Sequence, residues 1–308
     1  GRLAVGYDPR RKRFITLAEA NGKQGPGYAV AAFMAPAHTL SYLAAYRTTS
    51  GAPVLPLFAY AAVGWRSGRF YVAGWRSDPD PRQDPENFDC EQIAAGVKAR
   101  IASQPDNRLL QHLSHCALNY GCPAARNLFL GRWEAPLPTS PTCNARCLGC
   151  LSLQPKRLFP APMDRIRFRP TPAEIVGVAV PHLEQAARAV VSFGQGCEGE
   201  PLLQAEILLA AVKEIRRQTG RGTINLNTNA SRPQAVGRLV AAGLDSIRVS
   251  LNSLRPAYYQ AYYRPRRYNL EQVLASIRIA KESGARVALN YLVFPGLTDE
   301  PEEIARLE

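Results

Sequence analysis

Three cysteines lie within nine residues of this chain, in the stretch "TCNARCLGC" from Thr142 to Cys150. Thiolates bind zinc ions and iron–sulfur clusters. A structural zinc site needs four ligands, and downstream of this stretch the sequence offers only Cys197, with no second pair of ligands at metal-binding spacing. Three cysteines are enough to hold a four-iron cluster by three corners and leave one iron open. The spacing therefore favours such a cluster; a zinc or electron-carrier iron–sulfur protein is the alternative.

The composition bears on the state of these thiols. The chain has seven cysteines, an odd number, and its first residues show no apolar run after the charged ones. Without a signal peptide we expect a cytoplasmic protein, in which thiols stay reduced, so clustered cysteines indicate a metal site and not a disulfide framework. No apolar run reaches about 18 residues, so we expect no membrane span. The sequence starts at Gly1 and stops inside a helical pattern, so we expect truncation, at the C-terminus in particular.

The net charge of +13 admits nucleic acid or small anions as partners, and simple solubility explains it as well. The basic clusters are short, at Arg10–Arg13 and Arg264–Arg267, and carry no interleaved aromatic residues. A long basic tract would be the stronger signal for nucleic acid. An enzyme that acts on RNA therefore stays only as an alternative.

From Glu134 onward, short apolar runs alternate with helical segments, which gives five βα units in succession. Such alternation predicts a parallel sheet with right-handed crossovers, as an α/β barrel or a doubly wound sheet. In both architectures ligands bind beyond the carboxyl ends of the strands. The unusual residues fall at those ends: the three cysteines after the first strand, "CEGEP" after the second, "NTNA" at the third and "SLNS" at the fourth.

Residues 1–133 have a mixed pattern and predict an N-terminal α+β domain of unknown role, followed by the α/β domain at 134–308. The segment "AHTLSYLAAYRTT" after Pro36 predicts a helix. A hairpin is expected around the turn at Ser67 and Gly68. Two further helices are expected over "EQIAAGVKARIAS" and "RLLQHLSHCALNY".

Taken together, these motifs resemble the radical S-adenosylmethionine (radical SAM) superfamily. The resemblance rests on C-x3-C-x2-C after a first strand, "EGEP" after the second, and the matching third to fifth strands, the last being "ALNYLVFPG". It implies a partial (β/α) barrel that holds a [4Fe–4S] cluster on Cys143, Cys147 and Cys150. It also implies S-adenosylmethionine contacts from Glu198, Gly199, Glu200, Pro201, Thr228, Asn229, Ser250, Asn252 and Asn290.

The activity that the resemblance implies is reductive cleavage of S-adenosylmethionine. The 5′-deoxyadenosyl radical so formed abstracts hydrogen from a substrate, here an unidentified small molecule, peptide or protein. An electron donor such as flavodoxin or ferredoxin is the expected partner.

The sequence departs from the family pattern at three points. Gly149 stands before the last cysteine, where the family usually has an aromatic residue beside the adenine, so Leu148 or Leu151 is the candidate to hold that base. Glu198 replaces a glycine. The family core usually has a sixth strand, which this sequence lacks unless the chain was cut, and the expected barrel would then be open at that edge.

Four other cysteines allow two interpretations each. Cys90, Cys116 and Cys122, with His112 four residues before Cys116 on the same helix face, suggest a second metal or auxiliary cluster site; ordinary buried thiols are the favoured interpretation. Cys197 directly precedes the EGEP motif and is the one candidate catalytic residue, as a hydrogen-atom donor or a substrate contact. It serves equally well as a small packing residue.

Overall fold

The chain folds into two compact units, as seen in a computed structural model that describes residues 1–16, 28–34, 37–56, 58–155 and 159–307. The first unit comprises Gly1–Phe88 and Pro155–Pro162. The second comprises Asp89–Gln154 and Met163–Glu308. No helix in the described ranges combines the length and the apolar character that crossing a bilayer requires.

The first unit is built from short antiparallel strands. They form three small sheets with the orders β2-β1-β5, β3-β6-β7 and β4-β8. Their bounds are β1 Arg2–Asp8, β2 Arg13–Thr16, β3 Ala31–Phe33, β4 His38–Leu40, β5 Tyr46–Thr48, β6 Tyr60–Arg66, β7 Arg69–Val72 and β8 Gly74–Arg76. The predicted hairpin is present: Ser67 and Gly68 join β6 to β7 with φ values of +50° and +77°. Positive φ at both turn residues suits the twist of the paired strands.

The helix predicted for the segment after Pro36 is wrong. Strands β4 and β5 occupy it, and β4 pairs with β8 while β5 pairs with β1. Its β-branched and aromatic residues, Thr39, Tyr46 and Thr48, suit extended backbone. Register partners that lie 34 to 46 residues away along the chain decide the outcome, and a local helical pattern does not contain that information.

The second unit starts with three helices and continues as a five-stranded parallel sheet in sequential order, β13-β12-β11-β10-β9. The opening helices are α1 Cys90–Ser103, α2 Arg108–Leu118 and α3 Pro123–Phe129. The strands are β9 Glu134–Pro136, β10 Val190–Phe193, β11 Thr223–Thr228, β12 Ser246–Leu251 and β13 Arg286–Tyr291. The remaining helices are α4 Pro172–Gln185, α5 Ala205–Gln218, α6 Pro233–Ala241, α7 Pro256–Tyr263, α8 Leu270–Glu282 and α9 Pro301–Ala305. The sheet is not closed, as expected for a partial (β/α) barrel.

The two faces of this sheet differ in polarity. Ile224, Leu226, Ile247 and Val249 are fully buried on one face. The opposite face carries the alternate residues, and the parallel register aligns Ser192, Asn225, Ser246 and Arg286 across four strands, with Asn227, Arg248 and Ala288 in the next row. Alternation along each strand therefore separates an apolar, helix-covered face from a polar one.

Helix α4 runs through Pro181, although proline inside a helix usually kinks or ends it. Proline has no N–H, so the carbonyl of Gly177, one turn earlier, loses its helical donor. The side chain of Gln104 replaces it, because its Nε2 donates to the Gly177 oxygen at 2.9 Å. The hydrogen bond that proline removes is thus supplied by a side chain from the segment after α1.

The second unit begins at Asp89, whereas the sequence placed the α/β domain at residues 134–308. Helices α1 to α3 contact one another, α2 packs on α4, and α3 packs on β9. These contacts join the three helices to the sheet. Contacts alone do not define independently folding domains, so the boundary between residues 133 and 134 stays a prediction.

Candidate functional site

The three motif cysteines lie on the loop that follows β9, at the carboxyl end of the sheet. All three side chains are partly buried. The N–H groups of Arg146 and Leu148 donate to the carbonyls of Tyr263 and Tyr262, at 3.0 and 3.1 Å. The end of α7 therefore fixes the middle of the cysteine loop.

The thiols of this loop are not gathered as around one small ion. Their sulfur atoms do not all lie within 4.8 Å of one another. The ligand sulfurs of a tetrahedral zinc ion are about 3.8 Å apart at the usual bond length. Three thiols are the donors that an iron–sulfur cluster takes.

The surroundings of the thiols differ. Burial, and next the charge of Glu200, raises the pKa of Cys143 to about 11. Burial, reinforced by Cys143, raises the pKa of Cys147 to about 12. Both thiols must lose a proton to bind metal, so coordination releases protons.

Arg165 is a site residue that sequence reasoning missed. Its Nη2 donates to the sulfur of Cys150 at 3.3 Å, and its Nε donates to the hydroxyl of Ser152 at 3.1 Å. A guanidinium beside a thiolate stabilises the negative charge. Arg165 belongs to no recognisable motif, and only the folded chain brings it to Cys150.

The EGEP motif packs directly on the cysteine loop. The N–H of Gly199 donates to the carbonyl of Ser140 at 2.6 Å, and the N–H of Glu200 donates to that of Thr142 at 2.8 Å. A Cβ on Gly199 would lie 1.9 Å from the Thr142 oxygen. Glycine is thus required here by the close approach of two backbones.

Glu198 is a buried clamp between two strand ends. Its Oε2 accepts from the N–H groups of Thr139 and Ser140 at 2.7 and 2.8 Å. Its Oε1 accepts from those of Gly194 and Gln195 at 2.7 and 2.9 Å. Burial raises the pKa of this carboxyl to about 7, and the four N–H donors oppose that rise. Glu198 therefore joins the loops after β9 and β10 and faces backbone, not a free cavity.

Glu200 performs the same task between β10 and β11. Its carboxylate accepts from the hydroxyl of Thr228 and from the N–H of Asn229, the latter at 2.8 Å. The Asn229 side chain donates to Oδ1 of Asn144 in the cysteine loop at 2.8 Å. The predicted residues Glu200, Thr228 and Asn229 are thus linked into one buried network. Pro201 starts the short helical turn that follows Glu200.

The remaining predicted residues lie at the ends of β12 and β13. Ser250 and Asn290 are register partners; Ser250 is half-buried and Asn290 is exposed. Asn252 is 2 % exposed, and its Oδ1 has no hydrogen-bond partner among the described residues. A buried acceptor without a partner is costly unless a ligand satisfies it.

Gly149 faces a tyrosine. A Cβ at residue 149 would lie 2.5 Å from the hydroxyl oxygen of Tyr262. Leu148 and Leu151, which the sequence suggested as supports for the adenine, are 46 % and 42 % exposed. Tyr262 therefore fills the space that a larger residue 149 would take, a relation that the sequence did not indicate.

Cys197 lies apart from the motif cysteines in its contacts. It is buried beside Cys116, and His112 completes a group of three whose ligand atoms lie within 4.8 Å of one another. A hydrogen bond from Cys197, helped by His112, lowers the pKa of Cys116 to about 5. Cys90 is exposed on α1, and Cys122 precedes α3 and is half-buried. Neither belongs to this group.

The residues present fit the groups that the motif implies. The cysteine loop offers three thiols, the donors that an iron–sulfur cluster takes. The EGEP backbone and the Asn252 acceptor follow β10 and β12, which flank β11, so both lie at the carboxyl end of the sheet, where a polar small molecule binds in this class of sheet.

Known proteins agree with this arrangement. The sequence model of the radical SAM superfamily matches residues 137–307. A GTP 3′,8-cyclase of Heliobacterium modesticaldum is 32% identical over 170 residues, covering 54% of this chain and 48% of the relative. Human molybdenum cofactor biosynthesis protein 1 is 28% identical over 218 residues, covering 68% of this chain and 31% of the relative. The chain spans half or less of the length of these relatives.

Solved structures show a weaker likeness. The anSMEcpe enzyme with bound AdoMet aligns with a TM-score of 0.44 and 14% identity, over 56% of this chain and 47% of its own. Methylornithine synthase aligns with a TM-score of 0.40 and 14% identity, over 70% and 61%. No functional argument rests on similarities of this size. The family match over residues 137–307, together with the cysteine loop and the EGEP contacts, leads to the conclusion that the chain belongs to the radical SAM superfamily.

Proposed function

We propose that this protein reductively cleaves S-adenosylmethionine and uses the resulting radical to abstract hydrogen from a substrate. Radical SAM enzymes use a [4Fe–4S] cluster and S-adenosylmethionine. The observation that carries the proposal is the packing of the EGEP backbone against a loop that presents three thiols.

Each part of the site has a task in this proposal. Cys143, Cys147 and Cys150 hold the cluster, which supplies the electron for the cleavage when it is reduced. Arg165 stabilises the Cys150 thiolate. The backbone at Gly199 and the unpaired acceptor of Asn252 orient S-adenosylmethionine. An electron donor of the flavodoxin or ferredoxin type reduces the cluster.

The test is anaerobic reconstitution with iron and sulfide, reduction, and measurement of 5′-deoxyadenosine by mass spectrometry. Wild-type protein is expected to form it, and the variant with Cys143, Cys147 and Cys150 all changed to Ala is expected to form none. Cys90→Ala removes an exposed thiol outside the motif and is the matched control. Absence of 5′-deoxyadenosine from the wild type, or its persistence in the triple variant, contradicts the proposal.

The polar face of the sheet supports a polar, anionic small molecule as substrate. A cavity of about 570 Å³ lies over this face toward the amino ends of the strands, so a substrate bound there must extend along the face to reach the cysteine loop at the carboxyl ends. Its lining includes Asn225, Asn227, Ser246, Arg248 and Arg286, together with the carboxylate of Glu134. Guanidinium groups pair with carboxylates and phosphates. Several relatives, the Heliobacterium modesticaldum protein among them, carry names that specify GTP, a triphosphate, so GTP is the first probe.

Binding of GTP to the reconstituted protein, followed by calorimetry, tests this substrate class. Arg248→Ala is expected to weaken binding at least about tenfold, the effect of losing roughly one charge-assisted hydrogen bond. Arg238→Ala, which removes a surface ion pair with Glu206, is the control. Equal affinity in both variants, or no binding at all together with normal 5′-deoxyadenosine formation, removes the substrate assignment and leaves the cleavage reaction intact.

A further inference from the structure

Three side chains outside the cysteine motif converge in the second unit. Cys116 and Cys197 are buried, His112 is half-buried, and their ligand atoms all lie within 4.8 Å of one another. We propose that His112, Cys116 and Cys197 form a second metal site, which takes a single thiophilic divalent ion of the zinc type.

The distances suit one ion. The Cys116 sulfur lies 3.6 Å from Nε2 of His112. In a tetrahedral zinc site with the usual bond lengths, a sulfur and a nitrogen ligand are about 3.6 Å apart. The two atoms are thus already at coordination distance and need only a shared ion and the loss of thiol protons.

The fold brings the ligands together from two elements. His112 and Cys116 are four residues apart on α2, so they project from one helix face. Cys197 comes from the turn after β10, about 80 residues later, and its carbonyl accepts from the N–H of Ile166 at 2.7 Å. Both thiols are buried, at 3 % and 7 % exposure, so the surrounding side chains hold the two sulfur atoms in place.

A fourth position stays open in this group. Cys122 is close in sequence to Cys116, and its N–H donates to the Cys116 carbonyl at 3.0 Å, yet its sulfur is outside the set of three. Water is the expected fourth ligand, as at zinc sites with three protein ligands. Loss of Cys122 should therefore leave the ion in place.

The proposed metal site lies directly beside the EGEP motif. Cys197 directly precedes Glu198, the clamp between the ends of β9 and β10. An ion on Cys197 ties α2 to the turn that carries the EGEP motif. Cys197 then acts as a metal ligand, and the sequence-based role of hydrogen-atom donor falls away.

The competing chemistry is a disulfide between Cys116 and Cys197. It needs an oxidant to accept two electrons from the two thiols, and it gives no role to His112 at coordination distance. Both thiols are free here. The presence of an imidazole as the third member favours the ion.

Anaerobic titration with Co²⁺ before iron reconstitution tests the site, because thiolate-bound cobalt shows a charge-transfer absorption. The titration uses the variant with Cys143, Cys147 and Cys150 all changed to Ala, in which the motif cannot bind cobalt, and we expect one Co²⁺ per chain with this absorption. Adding Cys116→Ala or Cys197→Ala to this variant should abolish the absorption, and adding His112→Ala should weaken binding at least about tenfold. Adding Cys90→Ala or Cys122→Ala should keep it.

A second measurement covers variants that fold poorly. The melting temperature of the triple-alanine variant should rise with added Zn²⁺, and that of the same variant with Cys116→Ser added should not, since a ligand that binds only the folded state stabilises it. No cobalt absorption in the triple-alanine variant, its retention when Cys116→Ala is added, or a Cys116–Cys197 disulfide in protein isolated from cells overturns the proposal. None of these outcomes decides the proposed cleavage reaction, because the site contains no motif cysteine.

Discussion

Glu198 shows how a single residue can hold a site together without touching a ligand. Its carboxylate accepts four backbone N–H groups from two loops. Glycine at this position has no side chain that could accept from those donors. The carboxylate of Glu198 is therefore a structural link between the two loops.

We expect Glu198→Gln to lower the free energy of unfolding by at least about 3 kcal/mol, because an amide NH₂ would face two of the four N–H donors and leave them unpaired in a buried place. Denaturant unfolding measures it. Glu206→Gln, at a surface ion pair, should cost less than about 1 kcal/mol. Similar losses of unfolding free energy in the two variants would contradict the role of Glu198 in joining the two loops.

The close approach of the Gly199 backbone to Thr142 predicts an effect on cluster assembly. Gly199→Ala forces the Thr142–Cys143 backbone to move, since the new Cβ would meet it at 1.9 Å. We expect markedly less iron per chain after reconstitution. Gly220→Ala is the control, because nothing lies within 4 Å of a Cβ there. Equal iron contents would show that the loop adjusts freely and that the close approach has no role.

Gly149 and Tyr262 predict an energetic coupling. Gly149→Ala should destabilise the protein by about 1 kcal/mol through crowding with the Tyr262 hydroxyl. In a Tyr262→Phe background the nearest ring atom is 3.6 Å away, an ordinary contact, so most of the cost should vanish. A double-mutant cycle of unfolding free energies measures this coupling. An additive result would mean that the tyrosine does not restrict residue 149.

At the scale of elements, helix α4 combines two features that sequence patterns describe poorly. A proline normally ends a helix, but at Pro181 the side chain of Gln104 donates to the Gly177 carbonyl in place of the missing backbone N–H. One residue later, His182 is fully buried, and burial lowers its pKa to about 4. Neither fact is visible in a local pattern, because both depend on what packs against the helix.

His182 gives stability a pH dependence with a defined sign. Its pKa is about 4 in the folded chain against an ordinary 6.5, so the unfolded chain binds the proton first as pH falls. Stability should be unaffected above pH 6.5 and should fall by up to about 3 kcal/mol as the pH is lowered toward 4. Unfolding of the wild type and of His182→Leu across this range isolates the effect. Parallel pH profiles would contradict it.

Some elements could be predicted from local sequence patterns and others could not. The five parallel strands and the cysteine loop follow from alternation and spacing, which are local signals. The segment from Ala37 to Thr49 is different, because pairing with β8 and β1 overrides its helical pattern. Short antiparallel strands are specified mainly by distant partners, so the first unit was the least predictable part.

At the scale of the molecule, the motif residues could be located from sequence but their partners could not. The position of the three cysteines after β9 was predictable. Arg165 lies 15 residues from Cys150, and Thr139 and Ser140 lie 59 and 58 residues from Glu198. Tyr262 reaches Gly149 from a different element, helix α7. Only the folded chain brings them together.

A buried polar network in the second unit lies at the carboxyl end of its sheet. The cysteine loop, the EGEP turn and the end of β11 are linked there by buried carboxylates and amides. These links hold the loop whose three cysteines would bind the cluster.

The most direct test of this account is the electron paramagnetic resonance spectrum of the reduced, reconstituted protein, recorded with and without S-adenosylmethionine. The account predicts the signal of a [4Fe–4S] cluster that changes when S-adenosylmethionine is added, because the open iron then gains ligands. Spectra that are identical with and without S-adenosylmethionine, or that show no four-iron cluster, would contradict it.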